Sequence, residues 1–220
     1  MWGVARDAGG LAETGMLCTP PGSFRSSVVD VADRASVHRW KDEVQAGGFD
    51  PDCVVLNASI LQEDMAEGLD AQAAARVLAV NLQGALWCVE AFLPGFLARR
   101  RGTFVVISST SALRPSRRSA SYTASKAGVL MAFRSLRERY RGTGVRFKTV
   151  LLGPIQTEMW EGKKIPLLIP PPERAARAIA RFLPSPRQTL YYPSFTTALL
   201  RLSSWLPDPV FSAASKLLLH

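Results

Sequence analysis

The feature that most constrains this chain is a rhythm. Short, nearly continuous apolar runs alternate with longer segments whose apolar residues recur every three or four positions. The runs at 24–31, 53–57, 103–108, 145–152 and 189–192 have strand length, and 33–46, 70–99, 119–141 and 173–182 have helical spacing. A strand that is apolar on both faces must be covered on both sides, and intervening helices supply that cover when the strands run parallel. The rhythm predicts an α/β fold, a doubly wound parallel sheet. A length of 220 residues suits a single core. The expected division is a domain over 1–194 and an apolar helical extension over 195–220.

Two stretches break the rhythm. Around 158–172, the run Ile165-Pro166-Leu167-Leu168-Ile169-Pro170-Pro171-Pro172 is too rich in proline for regular structure and too apolar for an ordinary loop, so it reads as a lid. In the extension only Arg201, Asp208 and Lys216 carry formal charge, while Leu199, Leu200, Leu202, Trp205 and Leu206 can form one helical stripe. Burial of that stripe on the domain or on a partner subunit is the first expectation, and a peripheral contact with a membrane surface is the second.

The net charge of +9 raises the question of a polyanionic partner. Placement argues against nucleic acid: Arg99, Arg100 and Arg101 sit at an expected helix end, where cations complement the helix dipole, and the remaining basic residues are scattered. Cys18, Cys53 and Cys88 are odd in number and share no metal-ligand spacing, which points to a reducing, cytoplasmic setting and no metal. The start, Met1-Trp2-Gly3-Val4, shows no charged segment followed by an apolar one, so no signal peptide is visible there.

Chemistry enters at Tyr122 and Lys126, which four-residue spacing places on one face of the helix at 119–141. A phenol ordinarily titrates near ~10, and a neighbouring ammonium favours its ionised form, so the pair is a tunable acid/base. Ser109 follows the run 103–108. The carboxyl ends of parallel strands line the ligand crevice in such folds, so its hydroxyl is placed to bond a substrate oxygen.

Ile107-Ser108-Ser109 followed by Tyr122-x-x-x-Lys126 resembles the catalytic signature of the short-chain dehydrogenases/reductases. Further pieces follow the family's order: Val29-Asp30-Val31, Val55-Leu56-Asn57-Ala58-Ser59, Val80-Asn81-Leu82-x-Gly84 and Gly153-Pro154-Ile155-Gln156-Thr157. The resemblance implies an NAD(P)-dependent oxidoreductase that interconverts an alcohol and a ketone or aldehyde by hydride transfer. It implies that Tyr122 exchanges the proton, that Lys126 lowers its pKa and binds the nicotinamide ribose, and that Ser109 steadies the substrate oxygen. Asn81 would kink its helix and help hold a relay water. Asp30, Asn57, Ala58, Pro154 and Thr157 would contact the cofactor, and a homo-oligomer is implied through the paired helices. Taken singly, Asp30 and Thr157 equally suit caps, and Asn57 and Asn81 suit caps or satisfied polar groups in a core.

The family's Gly-rich turn, which receives the cofactor's pyrophosphate at a helix N-terminus, has no counterpart before Val4. Val4 to Leu11 instead resemble the end of the family's second strand and its helix. The expectation is a fold lacking the first strand, the first helix and most of the second strand, from a reading frame that begins upstream of Met1. Arg6 falls where the family often places a cation beside the adenosine ribose, which favours NADP over NAD. The apolar lid implies an apolar carbonyl or alcohol substrate. Arg114, Arg117 and Arg118 are either rim residues for an anionic group or solvated surface. The alternative function is a catalytically inactive scaffold that docks on a membrane or partner through its C-terminal segment.

Overall fold

The computed structural model describes residues 1–20, 22–65, 68–116, 118–156 and 169–211. Its elements alternate as the sequence requires: β1 (Trp2–Ala5), α1 (Ala8–Leu17), β2 (Arg25–Val28), α2 (Arg34–Ala46), β3 (Cys53–Leu56), α3 (Ala71–Leu78), α4 (Gly84–Ala98), β4 (Gly102–Ser109), α5 (Ala120–Arg139), β5 (Val145–Leu152), α6 (Pro172–Phe182), β6 (Thr189–Tyr192) and α7 (Ser194–Ser203). Side chains set the starts of several helices. Asp33 accepts the N–H groups of Ala35 and Ser36 ahead of α2, Asp70 those of Gln72 and Ala73 ahead of α3, and Ser119 that of Tyr122 in α5.

Every strand pair is parallel, in two sheets with the orders β1-β2 and β3-β4-β5-β6. Alternate residues of β4 face opposite layers. Phe104 and Val106 pack with Val37, Val44, Phe92, Phe96, Val129 and Phe133 from α2, α4 and α5, whereas Val105 and Ile107 pack with Phe182 and Ile179 of α6. Helices on both faces of a parallel sheet make this the doubly wound α/β architecture expected from the sequence.

The two sheets do not pair with each other. Between β1 and β3 lies an apolar cleft of about 1280 Å³, floored by Val80, Ala85, Cys88 and Phe92 and flanked on its other side by Ala176, Ile179 and Leu183. No strand bridges β1 and β3 among the described residues.

The helix expected over 70–99 is interrupted. Ala79–Gln83 form a single π-helical turn between α3 and α4, which inserts one residue into the ladder and turns the Asn81 side chain inward. Gly84 follows because a β-carbon there would collide with the backbone oxygen of Val31, so only glycine lets α4 start against the loop after β2. Lys148, in the middle of β5 and fully buried, donates to the carbonyls of Phe182 (2.7 Å), Leu183 (2.9 Å) and Ser185 (2.8 Å) and so caps the end of α6.

The domain does not cover the C-terminal extension's apolar stripe, one of the two covers that the first expectation named. α7 packs on β6 and on the turn after β4, yet it does so through Thr197 and leaves Phe195, Leu199 and Leu202 exposed. Thr197 takes the inward position, and its hydroxyl bonds the carbonyl of Pro193 one turn earlier at 2.7 Å. Arg114 is also not a rim residue: it is buried and holds the segment that follows α7.

Candidate active site

The parallel sheets bring every strand's carboxyl end to one edge, and the sequence-selected residues gather there. Arg6 follows β1, Asp30 follows β2, Asn57 and Ala58 follow β3, Ser109 ends β4, and Pro154 follows β5. Ser109 and Leu152 are register partners, so the ends of β4 and β5 are level.

At this edge α5 lies against β4 through a reciprocal pair of bonds. The hydroxyl of Ser108 donates to the carbonyl of Lys126 at 3.0 Å, and the ammonium of Lys126 donates to the carbonyl of Ile107 at 3.0 Å. With α5 fixed, Tyr122 lies near enough to the Ser109 side chain to feel it, the Ser109 hydroxyl donates to that of Ser111 at 3.1 Å, and the Lys126 ammonium stands 5.6 Å from the centre of the Tyr122 ring. The structure thus brings the phenol, hydroxyl and ammonium together where the end of β4 meets the first turns of α5.

Electrostatics differ from the expectation. Burial raises the Tyr122 phenol above its ordinary value of 10.0, and the opposing influences are the Ser109 hydrogen bond and the charge of Arg118. The ammonium of Lys126 has turned to a backbone carbonyl, and burial lowers it from 10.5 to about 8. The expected depression of Tyr122 by Lys126 is therefore absent, because desolvation acts on both members of the pair.

Asn81 is buried between the loop after β3 and α5. Its side chain accepts the N–H of Ile60 at 2.8 Å, donates to the Ile60 carbonyl at 2.9 Å and donates to the Ser125 hydroxyl at 3.0 Å. Ser125 in turn donates to the Tyr122 carbonyl at 2.7 Å. A continuous chain of bonds therefore runs from the tip of β3 to the helical turn that carries the phenol. The Asp64 carboxylate completes the support by accepting the N–H of Ala120 at 2.8 Å at the start of α5, and Glu63 pairs with Arg118 nearby.

The cleft carries the other group of residues. Arg6, Asp30, Asn57 and Ala58 line it, and Ser109 and Tyr122 do not. Asp30 accepts the N–H of Ala32 at 2.9 Å and pairs with Arg76 of α3 at 2.6 Å. Burial pushes its carboxyl up, yet the Arg76 bond and the Ala32 N–H prevail and hold it below the ordinary carboxylate value. The turn-capping reading of Asp30 is thus part of its geometry. A smaller polar hollow of about 340 Å³, lined by Asp52, Arg101 and Arg146, lies at the opposite edge, where β4 and β5 begin.

Thr157 and Arg117 lie outside the described residues, as does most of the expected lid. The segment's two flanks are tied together. Gln156 donates its backbone N–H to the Pro170 carbonyl at 3.1 Å and its side-chain amide to the Ile169 carbonyl at 2.7 Å.

Comparison with known proteins identifies the family. The sequence profile described as short chain dehydrogenase matches residues 8–165. The chain belongs to the short-chain dehydrogenase family. It is 30% identical over 220 residues to an epidermal retinol dehydrogenase 2 of Mus musculus, covering 94% of this chain and 69% of that protein. It is 36% identical over 149 residues to an acetoacetyl-CoA reductase of Synechocystis, covering 63% of this chain and 62% of that one. An alcohol dehydrogenase from Thermococcus sibiricus, solved with 5-hydroxy-NADP, superposes with a TM-score of 0.76 at 22% identity, covering 86% of this chain and 83% of that one. A short-chain dehydrogenase from Streptomyces avermitilis superposes at 0.78 and 19% identity, covering 98% and 86%. The chain spans about two thirds of the length of these curated relatives.

Within this short-chain dehydrogenase, reading the sequence missed Ser108, Ser125, Asp64 and the charge of Arg118 on the phenol. Ser125 had one usable signal, its place three residues after Tyr122 on the same helix face. Asp64 had none, because its partner lies 56 positions away.

Proposed function

We propose that this short-chain dehydrogenase reduces an apolar ketone or aldehyde with NADPH, Tyr122 delivering the proton and Ser109 holding the carbonyl oxygen. The supporting observation is the nearness of the Ser109 side chain to Tyr122, beside the Lys126 ammonium. A phenol held above its ordinary pKa is protonated near neutrality, which suits it to donate a proton to a developing alkoxide. Alcohol oxidation needs the phenolate, and the same burial disfavours it.

The residues present fit two parts of a dinucleotide. Lys126 and Tyr122 would hold the nicotinamide ribose, and Arg6, Asp30, Asn57 and Ala58, lining the cleft at the strand ends, would hold the adenosine portion. The exposed guanidinium of Arg6 favours NADP over NAD, since it matches a 2′-phosphate. For the pyrophosphate, the described residues supply no backbone cradle. Asp7 caps α1 by accepting the Gly9 N–H, so a carboxylate already occupies that helix start. When bound, the cofactor supplies the hydride. The chain's own groups position the carbonyl, donate the proton through Tyr122 and, through the buried Asn81, keep α5 in register with the loop after β3.

An apolar substrate is supported by the leucine- and isoleucine-rich segment over 158–172 and by relatives named for retinol and for a 17-beta-hydroxysteroid. The test is NADPH oxidation, followed by absorbance, with an apolar aliphatic ketone. Tyr122→Phe keeps the ring and removes the proton, so it should cut turnover by ~10²–10⁴-fold while the fold survives. Unchanged turnover in that variant would refute the assignment of the proton to Tyr122.

A further inference from the structure

The C-terminal segment presents an apolar surface that the domain does not cover. Phe195, Leu199 and Leu202 follow one another at helical spacing along α7, and Trp205, Leu206 and Val210 in the segment after it are exposed as well. Phe195 is 76% exposed and Trp205 86% exposed. Side chains this large, grouped and open, mark an interaction surface rather than scattered surface apolarity.

The surface is held in place. Arg114, whose side chain is only 7% exposed, donates to the Leu206 carbonyl at 2.7 Å and to the Asp208 carboxylate at 2.8 Å, bonds the Ser203 carbonyl, and lies 4.4 Å from the ring centre of Phe211. Its anchor point, the turn after β4, directly follows Ser109. The apolar face is therefore fixed close to the candidate active site.

Charge selects the occupant. Over 173–220 the sequence carries six basic side chains and two acidic ones, and Arg114 already neutralises one of those acids, Asp208. A second copy of the chain would set one molecule of net charge +9 against another, whereas an anionic lipid layer offers both an apolar interior and compensating charge. Ala71–Ala98, the one described helical run long and apolar enough to span a bilayer, is mostly buried in the core, so this run does not offer the contact.

We infer that the face formed by Phe195, Leu199, Leu202, Trp205 and Val210 docks peripherally on an anionic membrane surface, with the mouth of the Ser109–Tyr122 crevice beside the lipid. Docking is independent of the oxidoreductase reading, since it is read by binding alone.

The test is flotation of the full chain with vesicles of phosphatidylcholine carrying about 30 mol% phosphatidylserine, against vesicles of phosphatidylcholine alone. The wild-type chain should float with the anionic vesicles, and its partitioning should fall about tenfold or more with neutral vesicles or in high salt. Leu202→Ser with Trp205→Ser should lower partitioning about tenfold or more, because two large apolar side chains no longer enter the lipid. Met16→Ser with Leu17→Ser, on the equally exposed end of α1, should leave it unchanged. All these positions are exposed, and unchanged thermal melts would show that the variants fold. The proposal is overturned if the wild type stays at the bottom of both gradients, or if both double variants float like the wild type. A dimer seen by sedimentation that dissolves in Leu202→Ser with Trp205→Ser, without vesicle binding, would also overturn it and assign the face to a second copy.

Discussion

β4 is buried along seven of its eight residues, whereas no residue of β1 is fully buried and three of the four in β2 are exposed. Around β4 and β5 the rings of Phe96, Phe104, Phe147, Phe133 and Tyr140 form a continuous aromatic cluster with centroid separations of 4.8–5.8 Å. The β1–β2 sheet is attached through α2 and its contacts with α4, and beyond β1 lies the open cleft. The proposed proton-transfer residues all stand on the dense region. Arg6 and Asp30, proposed for the adenosine portion, stand on the sparse one. Acid/base chemistry needs positions held to fractions of an ångström, and packing of this density provides that only around β4 and α5.

The largest expected effect sharpens this contrast. Phe147→Ala should cost ~3–5 kcal/mol of stability in denaturant unfolding, while Val4→Ala in β1 should cost about 1 kcal/mol or less. Equal losses would erase the distinction between the regions. A second effect concerns the buried ammonium at the dense edge. Burial lowers Lys126 from 10.5 to about 8, so the folded chain releases that proton before the unfolded chain does. Its contribution to stability is unfavourable below about pH 8 and improves as pH rises toward 10.5. Lys126→Met removes that slope, so its stability relative to wild type should be highest near neutrality and should decline toward pH 10.5, as read by melting temperature. A pH-independent difference would mean that the ammonium is solvated.

How far the sequence could be read follows the same division. The strands at 145–152 and 189–192 match the observed β5 and β6, the first a largely buried run and the second a half-buried edge strand paired with it. Ser109, Tyr122 and Lys126 were legible through spacing along one strand and one helix. What remained hidden was long-range. Lys148 looks like a polar interruption of a strand until the end of α6 arrives over it, and Arg114 looks like solvated surface until the chain returns 89 residues later to be held by it. What covers α7 was not legible either, because periodicity identifies an apolar stripe but not the surface it meets.

The smallest effect probes the link between the regions. Arg34 of α2 and Glu90 of α4 pair at 2.7 Å, and the bonds from Arg34 and His38 hold the Glu90 carboxyl down to about 2. A carboxylate lowered in this way stabilises the fold above its ordinary value of 4.5, and that contribution disappears as pH falls toward about 2. The pair is exposed, so Glu90→Gln should cost under ~1 kcal/mol at neutral pH and less in high salt. A larger cost would mean that α2 and the β1–β2 sheet depend on this contact.

The ionisation of Tyr122 itself is the most direct measurement, followed by nuclear magnetic resonance of a chain carrying ¹³C-labelled tyrosine, in wild type and in Ser109→Ala. The expected result is a Tyr122 phenol that titrates above 10.0 in the wild type and moves higher still when the serine hydroxyl is removed. A phenol that titrates below 10.0, or that is indifferent to Ser109, would contradict the arrangement on which the proposed proton delivery rests.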